Sequence, residues 1–420
     1  MKKPSEFRLM VWGSTAAFCA YACMYAFRRG ITAATFDGMV FWGVNYKIWL
    51  ITLQVLGYAF SKLIGIKVVS EMKPAQRAIY LLSFVGFAEL ALLGFALVPA
   101  PYNIPFLFLN GLPLGMVYGT VLGFLEGRRQ TDALVAGLTA SFIFASGFVK
   151  TIGKTLLNNG VSEFWMPFTT GLLFTLPLLL AIWALAKLPA PTAEDRAERT
   201  ERAPMNAADR SRFINTFSVG LVTLIVSYVF LTAFRDFRDN FAPEILKLAG
   251  VDNPLIFTQT ETFVSVFILL LMATLRWVKD NWKAFYLINL LLIAGGITVG
   301  VSTWMFQQGL LSPGVWFTLT GVGLYLAYVP CNGLYFERFV ASFKYVSTVS
   351  FVVTLADWWG YLGTVMVLIY KNFGQPNISF LDFFIYGAYV LAVVYVVLVI
   401  VSFGFFKRKY HARELQEAVI

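Results

Sequence analysis

The stretch YACMYAFRRG (residues 21–30) runs through an apolar, aromatic segment and then sets Arg28 and Arg29 side by side. Half a chain later YVFLTAFR (228–235) repeats its Tyr, Ala, Phe and Arg at an offset of 207. A second pair, GLPLGMVYGTVLGFLEGR (111–128) and GVGLYLAYVPCNGLYFER (321–338), lies at an offset of 210. It coincides at Gly111/Gly321, Leu114/Leu324, Tyr118/Tyr328, Gly123/Gly333 and Arg128/Arg338. Two separate matches at nearly one offset point to an internal duplication.

Composition says what is duplicated. Of 420 residues, 58% are hydrophobic and only 13% charged, with a mean hydropathy of +0.70. Soluble domains keep about a quarter of their residues charged, so the chain reads as a membrane protein. Apolar windows of roughly 20 residues, each enough to cross about 30 Å of hydrocarbon, recur twelve times. They fall near 9–28, 47–69, 78–99, 104–125, 134–156, 165–187, 215–236, 255–276, 284–305, 314–336, 346–370 and 380–405. The first run is too long for a cleavable signal and lacks a small-residue cleavage site.

Charge sets the expected orientation. With the N-terminus inside, the inner segments hold 22 of the 33 Lys and Arg residues, while the loops 100–103, 158–163 and 306–313 carry none. This is the positive-inside pattern. Both termini are expected in the cytoplasm, and the net charge of +10 calls for no nucleic-acid partner. Cys19, Cys23 and Cys331 lie in apolar spans without zinc or disulfide spacing. The single histidine, His411, sits in the basic tail. Neither a metal site nor another cofactor is expected.

The one long polar connection is 188–212. It divides the chain into a six-span bundle (1–187), a cytoplasmic linker (188–212), a second bundle (213–406) and a cytoplasmic tail (407–420). The expected fold is all-α, with twelve transmembrane helices in two pseudo-symmetric six-helix bundles. Parallel halves of this kind are the layout of the major facilitator fold.

Helical spacing places the polar residues on faces. Tyr21, Tyr25 and Arg28 share one face of the first span; Gln54, Tyr58 and Lys62 share one on the second; Tyr228, Thr232, Arg235 and Asp239 share one on the seventh. Two readings of Arg28 stay open: a cavity between the halves, or a helix end from which arginine snorkels to the outer surface. Lys62 lies mid-span, where a cation costs about 2.5–3.5 kcal/mol on insertion scales and usually faces a cavity or partner. Arg29 points about 100° from Arg28 and is expected at the helix end or on lipid headgroups. Glu261 and Asp357 sit inside spans eight and eleven, grouped with Thr258 and Ser265 and with Thr354 and Tyr361. Each is expected to pair with Arg235, Lys62 or Lys150, or to carry a proton. Glu89 on the third span reads as structural. Tyr118, Tyr325, Tyr328 and Asn332 are candidates for the cavity wall, with helix packing the alternative.

YACMYAFRRG, GYAFSKLIG (57–65) and AFRDFRDNFAPEILK (233–247) resemble helices one, two and seven of the organophosphate:phosphate antiporters, the glycerol-3-phosphate and hexose-phosphate transporters. These motifs occupy some 35 residues. The resemblance implies that Arg28 and Arg235 clasp phosphate in the central cavity, with Lys62, Tyr21, Tyr25 and Tyr58 as neighbours. It departs at helix five, where the relatives carry histidine and SGFVKTIGK (146–154) places Lys150 and Lys154 instead. Lys154 is expected to snorkel at the outer end, and Lys150 to serve the cavity or pair with an acid. SEMKPAQR (70–77) is a degenerate form of the superfamily's gating loop.

The expected function is secondary transport of a small anionic solute by a monomer in the cell inner membrane. A proton-coupled carrier of a carboxylate or other solute is the first alternative, and a transporter-like membrane sensor the second. An enzyme is not expected, because no nucleophile–base pair accompanies these residues.

Overall fold

The computed structural model describes residues 6–125, 131–189, 207–275, 277–331, 334–343, 349–375 and 377–419. Most of the expected linker, part of the basic inner segments, Arg128, Asn332 and the side chain of Thr354 lie outside the described residues.

Among the described residues ten helical segments are long and apolar enough to cross a bilayer. The first half contains α1 (Glu6–Arg29), α2 (Tyr46–Ser70), α3 (Arg77–Leu97), α4 (Ile104–Leu114) with α5 (Val117–Leu125), α6 (Thr131–Asn158) and α7 (Met166–Ala186). The second contains α8 (Ala207–Asn240), a short α9 (Ala242–Leu248), α10 (Leu255–Leu275), α11 (Asn281–Gln307), α12 (Pro313–Cys331) with α13 (Leu334–Ser342), α14 (Val349–Ile369), and α15 (Phe380–Val390) continuing into α16 (Val396–Val419). With α6 and α14 added to the ten, the twelve expected spans are present. The start of α1 and the end of α16 therefore lie on one face, called inner here; the opposite face is outer.

The first of the repeated segments breaks, and both carry a proline near the end of a helix. Pro113 stands where α4 gives way to α5, and Pro330 lies in the last described turn of α12. Proline removes a backbone donor and collides with the preceding turn, so a long helix yields there. The seventh span is longer than expected: α8 has 34 residues and a kink at Phe217, about 51 Å at 1.5 Å per residue. Its outer end carries residues 237–240 beyond the expected boundary.

Within the halves, α1 packs on α6 and α7, α2 on α4, α8 on α14 and α16, and α11 on α12. Between them, α6 meets α10 and α2 meets α14. The contact of α2 with α4 is backbone-close: a Cβ on Gly111 would stand 2.2 Å from the Gln54 carbonyl oxygen. Beside it Asn110 donates to the carbonyls of Phe27 and Ala88 at 3.0 Å each and accepts from Gln54 at 2.7 Å. Gln54 also donates to the Arg28 carbonyl at 2.9 Å. Buried amides that satisfy backbone carbonyls in this way fix the helical turn that carries Arg28.

Candidate functional site

A cavity of about 700 Å³, open solvent at its mouth included, lies between the halves. Its first-half wall is Tyr21, Tyr25, Arg28 and Arg29 of α1, Tyr58 and Lys62 of α2, and Tyr118. Arg235 and Asp239 of α8, Tyr325 and Tyr328 of α12, and Asp357 and Tyr361 of α14 form the opposite wall.

The two predicted arginines are held alike. Arg28 Cζ lies 3.6 Å from the Tyr58 ring centroid, and Arg235 Cζ lies 3.6 Å from that of Tyr328. Stacking on a ring fixes the guanidinium plane while leaving its edge of donors open, a geometry lysine cannot reproduce. Both side chains are buried, at 5% and 8% exposure. Among the described residues Arg28 has no carboxylate within ion-pair distance. Arg235 Nη2 instead meets Asp236 Oδ1 at 2.8 Å, and Thr364 donates to the other oxygen of Asp236 at 3.2 Å.

Lys62 and Asp357 face each other across the halves at 3.9 Å, and Tyr228 donates to Asp357 at 2.8 Å. Edge-on ring contacts of Tyr21 with Tyr25 and Tyr118 (5.6 and 5.5 Å) and of Tyr58 with Tyr361 (5.1 Å) keep the hydroxyl-bearing side chains upright. Among the described residues four cations and two carboxylates line the cavity. The wall is therefore net positive, which suits an anion.

Arg28, Arg235, Lys62, Tyr21, Tyr25, Tyr58, Asp239 and Asp357 thus converge on one cavity. Two expectations need correction, those for Arg29 and Glu261, and one pair of alternatives is decided, that for Lys150. Arg29 is not at the lipid: it is buried, bonds Asn240, and lies 3.1 Å from Asp239 and 3.7 Å from Asp236. The reason is that α1 ends at Arg29 but the chain runs on as a buried 3-10 turn, Gly30–Ala33, so this helix end stays inside and meets the other half. Of its two alternatives Lys150 takes the second: it lies off the cavity wall and pairs with an acid, Asp239, which Ser146 also reaches at 2.5 Å. Glu261 pairs with none of the three expected cations. Arg238 takes it at 2.7 Å and also donates to the Phe317 carbonyl at 2.9 Å. Arg238 and Asp236 escaped the sequence reading, although polar side chains crowd every face of RDFRDN (235–240). That pattern marks a helix end buried on all sides. Lys154 sits at the outer end as expected, 3.1 Å from Asp252. Glu89 packs against Gly171 of α7, and neither of its oxygens has a hydrogen-bond partner among the described residues.

On the outer side of the cavity the halves are tied together. Buried Lys47 reaches Glu244 at 2.5 Å and the Thr32 carbonyl at 2.9 Å. Thr258 donates to Thr151 at 2.7 Å, and Thr151 to the Pro254 carbonyl at 2.8 Å. An exposed pair, Lys247 with Asp37 at 2.7 Å, completes the set.

Residues 30–409 match a family described as "Family of unknown function (DUF5690)". A search of curated proteins finds no match. Solved structures similar to this chain include the nucleoside transporter NupG, with a TM-score of 0.64 and 14% identity over 95% of this chain and 99% of that one. A bacterial homologue of the human drug peptide transporters PepT1 and PepT2 aligns with a TM-score of 0.62 and 13% identity over 96% and 99%. A D-xylose-proton symporter aligns with a TM-score of 0.60 and 14% identity over 94% and 97%. Likeness at this identity establishes the fold, and the architecture is that of the major facilitator proteins: two pseudo-symmetric bundles of six helices.

Proposed function

The chain belongs to the DUF5690 family, and we propose that it is a secondary transporter moving a small anionic solute, an organophosphate or phosphate, by alternating access. The observation that carries this reading is the pair Arg28 and Arg235, one from each half, stacked on Tyr58 and Tyr328 at 3.6 Å around a shared cavity. A guanidinium offers phosphate oxygens two parallel donors, and tyrosine hydroxyls satisfy the remaining lone pairs. One dianion gripped from both sides draws the halves together, which couples binding to their rocking. Lys62, Tyr21, Tyr25 and Tyr58 complete the binding wall. Asp239 and Asp357 keep neighbouring cations compensated while the cavity is empty, and Lys150 acts through Asp239. The outer ties of Lys47 and Thr151 belong to a state closed on that face. The protein works in the cell inner membrane with both termini in the cytoplasm.

The test is counterflow in proteoliposomes preloaded with phosphate. Arg28→Lys and Arg235→Lys should each lose uptake of labelled organophosphate; if both transport like wild type, the site assignment fails. A second reading, proton-coupled transport, is favoured by one observation: Asp357 stands on the cavity wall 3.9 Å from Lys62. Proton flux that accompanies uptake and disappears in Asp357→Asn would select it.

A further inference from the structure

Among the described residues two that are not glycine adopt positive φ: Phe36 at 50° and Trp42 at 52°. Both are aromatic and both lie in the outer loop between α1 and α2. Bulky L-residues rarely hold this conformation, because Cβ crowds the following carbonyl. Something must compensate each.

For Phe36 the compensation is internal. Its side chain is fully buried, in a cage of Tyr46, Phe95 and Phe164 with ring separations of 5.2, 6.4 and 5.5 Å. Glu163 Oε1 accepts the backbone N–H groups of both Thr35 and Phe36 at 2.9 Å.

Trp42 has no such cage. It is 76% exposed at the tip of a hairpin, β1 (Val40–Phe41) and β2 (Val44–Asn45), in which Phe41 pairs with Val44. With Gly43 at φ 75°, the two-residue turn has the left-handed character for which Asn-Gly is the favoured pair. The chain puts its largest side chain there instead. Its one ring contact among the described residues is edge-on with Trp49, at 5.6 Å, and Trp49 braces the strand by donating to the Phe41 carbonyl at 3.1 Å. Val40 beside it is 58% exposed. Below the hairpin a stripe at helical spacing, Trp49, Leu53, Leu56, Phe60 and Ile64, runs down the outward side of α2, half-buried above and exposed below. This is the lipid face of the span, and Trp42 tops it.

We propose that the hairpin is a membrane-interface anchor, with Trp42 and Val40 seated in the headgroup region of the outer leaflet. Indole suits that zone, having an apolar body and one N–H donor for an ester carbonyl. The nearby charges Asp37 and Lys247 pair with each other, so zwitterionic and anionic phospholipids both serve. The hairpin also touches the turn Tyr370–Gly374 at the outer end of α14. The anchor therefore stands over the seam between the halves and holds the outer edge of α2 at a fixed depth.

The test is a nitroxide at Trp42→Cys, with Cys19, Cys23 and Cys331 replaced by alanine, in vesicles of phosphatidylethanolamine and phosphatidylglycerol. Collisions with oxygen should exceed those with a water-soluble nickel chelate, and the same label at Asn159→Cys, on another outer turn, should show the reverse. Equal nickel access at both positions overturns the anchor. So does a nickel-accessible label that becomes shielded when an organophosphate is added, because that marks a lid over the cavity. The native side chain gives an independent reading: phospholipids brominated near the headgroup should quench wild-type tryptophan emission more than that of Trp42→Phe. Equal quenching of the two counts against the proposal.

Discussion

The two halves present one device in two electrical settings. Each lays a guanidinium on a tyrosine ring at 3.6 Å, and the two arginines are repeat-related. In the second half Asp236 already accepts from Arg235 at 2.8 Å. In the first half Arg28 has no such carboxylate among the described residues. Duplication supplied the cation twice, and divergence balanced it once. A buried, unbalanced cation is costly unless its surroundings compensate it, so on this reading the Arg28 side waits for the anion that the Arg235 side only helps to hold.

The largest effect is expected from erasing the difference. Asp236→Asn leaves Arg235 as unbalanced as Arg28, and removing one partner of a buried pair costs about 3–5 kcal/mol. Melting in detergent should fall accordingly, and an added organophosphate should restore more stability to the variant than to wild type. A variant that melts like wild type would mean Asp236 does not set the contrast.

Next is Arg28→Lys. It strands no carboxylate, so melting should barely move. Losing a charge-assisted forked contact should nevertheless cut uptake roughly 10- to 100-fold. Arg235→Lys should lower both stability and uptake, and equal behaviour of the two variants would erase the asymmetry. A smaller effect is expected from the rings. Tyr58→Leu and Tyr328→Leu each remove a cation–π contact of about 1 kcal/mol, a several-fold rise in KM, whereas the phenylalanine variants keep the ring and most of the affinity.

The smallest effect belongs to a control outside the cavity. Lys247→Gln breaks the exposed pair with Asp37, worth less than about 1 kcal/mol, and should leave uptake intact. The Lys247 hydrogen bond holds the Asp37 carboxyl below its ordinary value of 3.8. The pair's contribution is thus complete above that value and lost as pH falls through the lowered one. Melting scans from neutral to acid pH should show wild type and Lys247→Gln converging only at the acid end.

Apolar periodicity and the repeat made the twelve-helix, two-bundle fold legible before any coordinates. Residues at i, i+4 and i+7 on single helices were equally legible, which is why Tyr21, Tyr25 and Arg28 fell on the cavity wall. What periodicity cannot supply is the partner on another helix. Glu261 met Arg238 rather than any cation named for it, because α8 runs four residues past its apolar window and buries charges there. Arg29 misled for a related reason: it does end α1, as a basic pair at the close of an apolar run suggests, but a further buried 3-10 turn keeps that end away from lipid. Trp42 drew no reading from the sequence; its backbone angle and its exposure at the hairpin tip set it apart.

The central claim, that Arg28 and Arg235 grip one anion together, is tested most directly by equilibrium binding of labelled phosphate monoesters to wild type, the two lysine variants and their double. The account predicts that each single change weakens binding by tenfold or more, and that the double loses less than the product of the two, because both act on the same ligand. Wild-type affinity in both single variants, or losses that multiply independently, would contradict it.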